Sequence, residues 1–119
     1  MPLIFVYGTL KRGRANNYIL AAQECFGPAK TKAGYVLYNL EGYPGMVEEP
    51  GATEGIAGEV WSVDSKCLKH LDKLEGLEEG LYARRSVALE APFDGRKVEA
   101  YIYLRDVTGR TRAPFDWKP

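Results

Sequence analysis

The stretch Leu3-Ile4-Phe5-Val6-Tyr7-Gly8-Thr9-Leu10-Lys11-Arg12-Gly13 decides how the rest of the chain is read. Its first five residues are apolar or aromatic without alternation, the pattern of a strand buried on both faces. The run breaks at once into a turn that carries a glycine, a hydroxyl and two cations. Glycine lets the main chain approach a ligand closely, and unpaired N–H groups at such a turn can grip an anion or a developing oxyanion. The turn is therefore a candidate ligand-holding loop, and the cations of Lys11-Arg12-Gly13-Arg14 read as its solvated side.

Outward from this start, the chain offers more strands than helices. Asn16-Asn17 is a possible cap for a short helix to about Ala22, with Tyr18, Ile19 and Leu20 as apolar surface. Residues 34–39 read as a strand. Gly42-Tyr43-Pro44-Gly45 reads as a turn or irregular edge before Met46-Val47, and Glu48 to Gly55 as an acidic loop. Between Ile56 and Val63, Ile56, Gly58, Val60 and Ser62 alternate with Ala57, Glu59, Trp61 and Val63, a strand signature. Tyr82 to Leu89 and Val98 to Leu104 read as two further strands around Asp94-Gly95, a hairpin-turn dipeptide. Residues 105–119 read as an irregular tail that packs Phe115 and Trp117 onto the body. Five to six strands and two helices outside a regular β-α rhythm predict an α+β fold with a mixed or antiparallel, partly closed sheet.

Composition narrows the function. The 119 residues predict a single domain, 1–119, with one real core. Sixteen basic and sixteen acidic side chains leave a formal charge of zero, so no global field favours nucleic acid or an anionic membrane. No run is long enough to span a bilayer, and no secretory segment is recognisable. Cys25 and Cys67 show no metal-ligand spacing. They are expected as free thiols in a cytoplasmic protein. One histidine excludes a multi-histidine metal site.

The clearest helix opens at Val63-Asp64. Asp64 is an N-cap, Val63 can staple against Leu68, and Gly76 is a C-terminal stop after about Glu75. At ~100° per residue, Cys67, Leu68, Leu71 and Leu74 form an apolar sector, with His70 at its border, and Lys66, Lys69 and Lys73 lie opposite. Glu75 falls between Leu68 and Leu71 in angle and so projects inward. An inward carboxylate at the negative end of a helix dipole is costly, and both effects raise its pKa. Such a group suits proton transfer near neutral pH. Two other readings stay open on angle alone: the last turn frays and Glu75 meets solvent, or it pairs with Arg84 or Arg85. Asp72 reads as solvated or locally capping.

Together these segments resemble the γ-glutamylcyclotransferase-like superfamily, and most closely its γ-glutamylamine cyclotransferase branch. Val6 to Gly13 resembles its signature loop, and Gly42 to Val47 its Tyr-Pro segment. Gly58-Glu59-Val60-Trp61 is similar to a Gly-Glu-Val-Tyr strand, Leu71 to Gly76 to the segment bearing the catalytic glutamate, and Tyr82-Ala83-Arg84 to a Tyr-x-Arg strand start. Asp116-Trp117 looks like a family ending. The resemblance implies a small mixed β-barrel with flanking helices and a substrate cavity. It implies that Tyr7, Gly8, Thr9 and Leu10 bind substrate, that Glu75 is the general acid/base, and that Tyr82 and Arg84 are candidates for lining the pocket. It implies no cofactor and no metal. The partner it implies is a small γ-glutamyl substrate, cyclised by its own α-amine to 5-oxoproline with release of an amine or amino acid. Nucleic acid and membrane are not expected partners, and a monomer is the favoured state. The alternative is a non-catalytic small-molecule-binding module on the same fold. Tyr35, Tyr38, Tyr43, Tyr101 and Tyr103 read as strand packing.

Overall fold

In the computed structural model, which describes residues 1–117, the opening run forms β1 (Leu3–Val6), with all four residues buried. It sits in a mixed sheet with β2 (Glu24–Lys30), β3 (Tyr35–Asn39), β4 (Pro44–Glu48), β5 (Ala57–Ser62), β6 (Tyr82–Ser86), β7 (Glu99–Tyr103) and a two-residue β8 (Arg112–Ala113). The order is β2-β5-β1-β7-β4-β3-β8, and β6 joins the other edge of β7. The one α-helix among the described residues, α1 (Ser65–Leu74), follows β5. The chain is α+β as expected, but with eight strands, one helix and a 3-10 turn at Asn17–Leu20 where a second helix was expected.

The sheet curls until its ends nearly meet. Beyond β6 the backbone reaches the end of β2: Thr31 bridges Leu89, Lys32 N–H donates to Ala88 C=O, and Glu90 N–H donates to Lys30 C=O. This closes a ring of β2, β5, β1, β7 and β6. Thr31 is fully buried at the closure; its Oγ1 accepts from Ile56 N–H at 2.8 Å and donates to Lys32 C=O at 2.8 Å. Strands β4, β3 and β8 form a flap that branches from β7. The branch is a fork: β1 pairs parallel to β7 at Ile4–Glu99, and β4 pairs parallel to it at Met46–Ile102.

Side chains alternate across this sheet with period two. Leu3, Phe5, Val60, Ala100 and Ile102 belong to one core. Ile4, Val6, Trp61, Tyr101 and Tyr103 belong to a second core, which Cys67 and Leu71 of α1 cover. A strand with helix on one side and core on the other must be apolar throughout, hence the composition of β1. Close approach also selects Gly58, where a Cβ would lie 2.3 Å from Val6 O and 2.6 Å from the Phe5 ring.

Helix α1 begins and ends as its sequence indicates. Asp64 caps it by accepting from Cys67 N–H at 2.7 Å. Glu75 is the C-cap and Gly76 follows at φ +67°. Gly76 N–H donates to Lys73 C=O and Leu77 N–H to Asp72 C=O, a Schellman closure that requires the left-handed glycine. Leu74, however, is 45% exposed, and His70 is exposed. The apolar stripe is narrower than the angular reading: of its four residues Cys67 and Leu71 are buried and Leu68 is half-buried.

Other departures have local causes. β2 was not expected: Glu-Cys-Phe-Gly-Pro-Ala-Lys lacks alternation, and it pairs with β5 through a register shift between Cys25 and Gly27. Its proline sits on the strand farthest along the ring, where a missing donor is tolerated. Pro44 and Gly45, read as a turn, belong to β4, where a Cβ on Gly45 would lie 2.4 Å from Leu40 Cδ1. The first of the two late strands ends at Ser86, and its link to β7 is a long loop through Asp94-Gly95, not a two-residue hairpin. In the tail, Trp117 is buried but Phe115 is 48% exposed, and Arg112–Ala113 is a strand. Lys118 and Pro119 of the expected tail lie outside the described residues. Both cysteines are free. No helix among the described residues is long and apolar enough to cross a membrane.

Candidate active site

The fork at β7 opens the site. Where β1 leaves the ladder, the Tyr7 side chain takes over the missing strand contacts. Its hydroxyl donates to Tyr101 C=O at 2.7 Å and accepts from Met46 N–H at 3.2 Å. One phenol therefore ties β7 to β4, and beside it lies an open-mouthed pocket. The pocket floor includes Phe5 and Val6, and the loop Tyr7-Gly8-Thr9-Leu10 forms one wall. Pro44, Tyr43, Tyr82 and Tyr101 form the other walls together with Glu75.

The loop is held open by its neighbours. Asn16 Nδ2 donates to Thr9 Oγ1 at 2.9 Å and Asn16 N–H to Thr9 C=O at 2.8 Å. Asn17 Nδ2 donates to Leu10 C=O at 2.8 Å. On the far side, Glu59 Oε1 accepts from Arg12 N–H at 3.0 Å and from Trp61 Nε1 at 3.1 Å. These bonds occupy the loop's carbonyls and hydroxyl, while no turn bond among the described residues uses the N–H of Thr9 or Leu10. Gly8 is required by contact, since a Cβ there would lie 2.7 Å from Pro44 Cγ. Lys11, read as solvated, is 7% exposed. Its Nζ lies 3.0 Å from Asp116 Oδ1 and 3.0 Å from Trp117 C=O, which straps the chain's last described turn across the base of the loop.

Glu75 reaches the pocket from the C-cap of α1, half-buried. Burial pushes its carboxyl up to about 7 from the ordinary 4.5. No ion pair among the described residues involves it, because both arginines that sequence offered as partners are engaged elsewhere, Arg85 with its NH1 3.4 Å from Glu48 Oε1. Arg84 grips Asp72 with NH1, and its Nε lies 3.4 Å from Glu99 Oε1. Arg84 lines no part of the pocket, whereas Tyr82, the other candidate from that strand, does. Burial raises the phenols of Tyr7, Tyr82 and Tyr101 above their ordinary value, and the charge of Glu75 adds to the effect on Tyr7 and Tyr82.

The pocket thus gathers Tyr7, Gly8, Thr9, Leu10, Glu75 and Tyr82 of the expected residues. Sequence reading missed Tyr43, Pro44 and Tyr101. Tyr101 looked like any strand tyrosine, and only its register opposite Arg84 places it beneath the helix end. Asp72, expected to be solvated or locally capping, instead receives both Arg84 and the Tyr101 hydroxyl. Among the described residues no group of three His, Cys, Asp or Glu side chains is placed to hold a metal ion.

Residues 4–118 match the family described as gamma-glutamyl cyclotransferase, AIG2-like. A Vibrio cholerae protein provisionally named gamma-glutamylcyclotransferase is 37% identical over 114 residues, 96% of this chain and 90% of the relative. The gamma-glutamylaminecyclotransferase of Homo sapiens is 31% identical over 122 residues, 88% of this chain and 79% of that one. The crystal structure of a mouse AIG2-like protein matches with a TM-score of 0.73 at 27% identity, over 88% of this chain and 77% of that one. The solution structure of ytfP from Escherichia coli matches at 0.67 with 33% identity, over 92% and 89%.

Proposed function

Because the chain belongs to the gamma-glutamyl cyclotransferase, AIG2-like family of enzymes, we propose that its pocket cyclises a γ-glutamyl group. The substrate's α-amine attacks its own γ-carbonyl carbon, a C–N bond closes a five-membered lactam, and the old γ-amide bond breaks. The products are 5-oxoproline and the free amine or amino acid. The observation that carries this reading is a desolvated carboxyl, Glu75, with no ion pair among the described residues, facing a loop whose Thr9 and Leu10 N–H groups make no turn bond among those residues.

Each requirement of the reaction finds a matching group. The α-ammonium must lose a proton, and a carboxylate with a pKa of about 7 accepts it and later returns it to the departing nitrogen. The tetrahedral oxyanion needs fixed donors in a dry site; the N–H groups of Thr9 and Leu10 are assigned that role, each such donor contributing ~3 kcal/mol to transition-state stabilisation. Ring closure needs the chain folded so that amine and carbonyl meet, and holding that pose supplies much of the rate. Tyr7, Gly8 and Tyr82 shape the wall that enforces it. Among the described residues that line the pocket, Glu75 is the one acidic side chain and there is no Lys or Arg. The substrate's α-carboxylate is therefore assigned to main-chain N–H groups of the same loop.

The test is a panel of γ-glutamyl amines and γ-glutamyl dipeptides scored for 5-oxoproline release, run in parallel on Glu75→Gln. The wild type is expected to release 5-oxoproline from at least one member. Glu75→Gln is expected to keep the fold and lose turnover by several orders of magnitude, because glutamine is nearly isosteric but carries no exchangeable acid proton. Binding of 5-oxoproline without turnover of any substrate would favour the binding-module alternative.

A further inference from the structure

Glu75 has no side-chain bond among the described residues, yet its position must be held, and the holding group is one helical turn away. Asp72 stands three residues before Glu75, on the same side of the helix end. Its C=O accepts from Leu77 N–H at 3.1 Å and so takes part in the closure that sets the backbone of Glu75 and Gly76. Its carboxylate leaves the helix and lands on the sheet. Tyr101 Oη donates to Asp72 Oδ1 at 2.7 Å, and Arg84 NH1 grips both Asp72 oxygens. Arg84 and Tyr101 face each other across the β6–β7 ladder. Arg84 is steadied in turn by Glu99, 3.4 Å from its Nε. Tyr101 also lines the pocket, and its carbonyl receives the Tyr7 hydroxyl.

From this arrangement we infer that Asp72 is a positioning residue: through Arg84 and Tyr101 it clamps the last turn of α1 to the sheet and presents Glu75 to the pocket. The inference rests on the cyclotransferase reading for its effect on turnover, but its geometric content is separate. Apolar packing holds this turn on one side only: Leu71 is fully buried in the second core, whereas Leu74, next to Glu75, is 45% exposed. The charge of Asp72 is spent on Arg84, so the clamp adds no free anion beside Glu75. The titratable groups that share the pocket with Glu75 are the phenols of Tyr7 just after β1, Tyr43 before β4, Tyr82 on β6 and Tyr101 on β7. The other charges near it along the chain are Lys73, Glu78 and Glu79.

Three variants separate a clamp from a simple charge effect: Asp72→Asn, Arg84→Gln and Tyr101→Phe, which remove an anion, a cation and no charge. The Glu75 carboxyl is titrated in each by carbon NMR of glutamate-labelled protein. A released helix end lets Glu75 reach water, so its pKa falls by about a unit or more toward the ordinary value in all three. If charge alone mattered, Arg84→Gln would raise it and Tyr101→Phe would leave it in place, and either result overturns the clamp. Should Arg84→Gln fail to fold, Tyr101→Phe decides. In the release assay Asp72→Asn is expected to lose kcat by on the order of 10- to 100-fold with KM held, the signature of a misplaced catalytic group. Glu75 shifts without 5-oxoproline release even from wild type would refute the reaction and leave the clamp. Release from wild type with unmoved Glu75 would do the reverse.

Discussion

Glu75 combines two properties that oppose each other. Burial that raises its carboxyl to about 7 makes it a usable base and acid, and the same burial costs stability when the group ionises. The sign follows from proton binding. Between the unfolded value near 4.5 and the folded value near 7 the native state holds the extra proton, so stability from this group is full below 4.5 and is lost as pH rises through 7. The loss is on the order of 3 kcal/mol. Glu75→Gln is therefore expected to be more stable than wild type in urea at pH 8 and to match it at pH 4. Turnover has the opposite dependence: kcat/KM is expected to rise with pH through an acid limb near 7, set by the free enzyme's Glu75. A bound α-ammonium favours the carboxylate, so the limb in kcat should lie lower than the limb in kcat/KM. Steady-state profiles with one good substrate check both.

At the scale of elements, the site depends on contacts between strand ends and loops more than on any one strand. Gly8 lies against the Pro44 ring, and a Cβ there would come within 2.7 Å. Gly8→Ala is expected to push the loop from β4 and cut kcat/KM by ~10-fold or more, with a smaller loss of thermal stability; kinetics and a melting curve together test it. The two strand interiors and the helix caps were legible in sequence because they are local. The unbroken run of β1, the alternation of β5, Asp64 and Gly76 each speak through neighbours a few residues away. β2 was not, because Gly27 and Pro28 contradict strand propensity and the strand exists through its pairing with β5. The inward angle of Glu75 was legible for the same local reason as the helix. The Asp72–Arg84–Tyr101 contact was not, since it joins residues 12 and 29 positions apart through a ladder register that no pattern announces.

In the molecule as a whole, the ring closes on a few hydrogen bonds around one hydroxyl. Thr31 is fully buried, and Thr31→Val keeps its shape while leaving Ile56 N–H without its 2.8 Å partner. The expected cost is ~1–3 kcal/mol in urea unfolding, with kcat unchanged because the closure lies outside the pocket lining. An unchanged midpoint would mean that the ring tolerates an open seam. The same division runs through the fold: the closed ring supplies β1, β6, β7 and the seat of the helix, while the β4–β3–β8 flap supplies Pro44, and the turn before it supplies Tyr43.

The fork at β7 has an evolutionary consequence. Since β1 and β4 divide one edge of the same strand, the hinge of the flap is also the lip of the cavity, and Tyr43 stands there 42% exposed. Under the proposed reaction, lengthening or recolouring residues 40–44 is expected to alter which amine departs while sparing the groups assigned to proton transfer. Descendants of this scaffold can diverge in taste for the departing amine without rebuilding their chemistry.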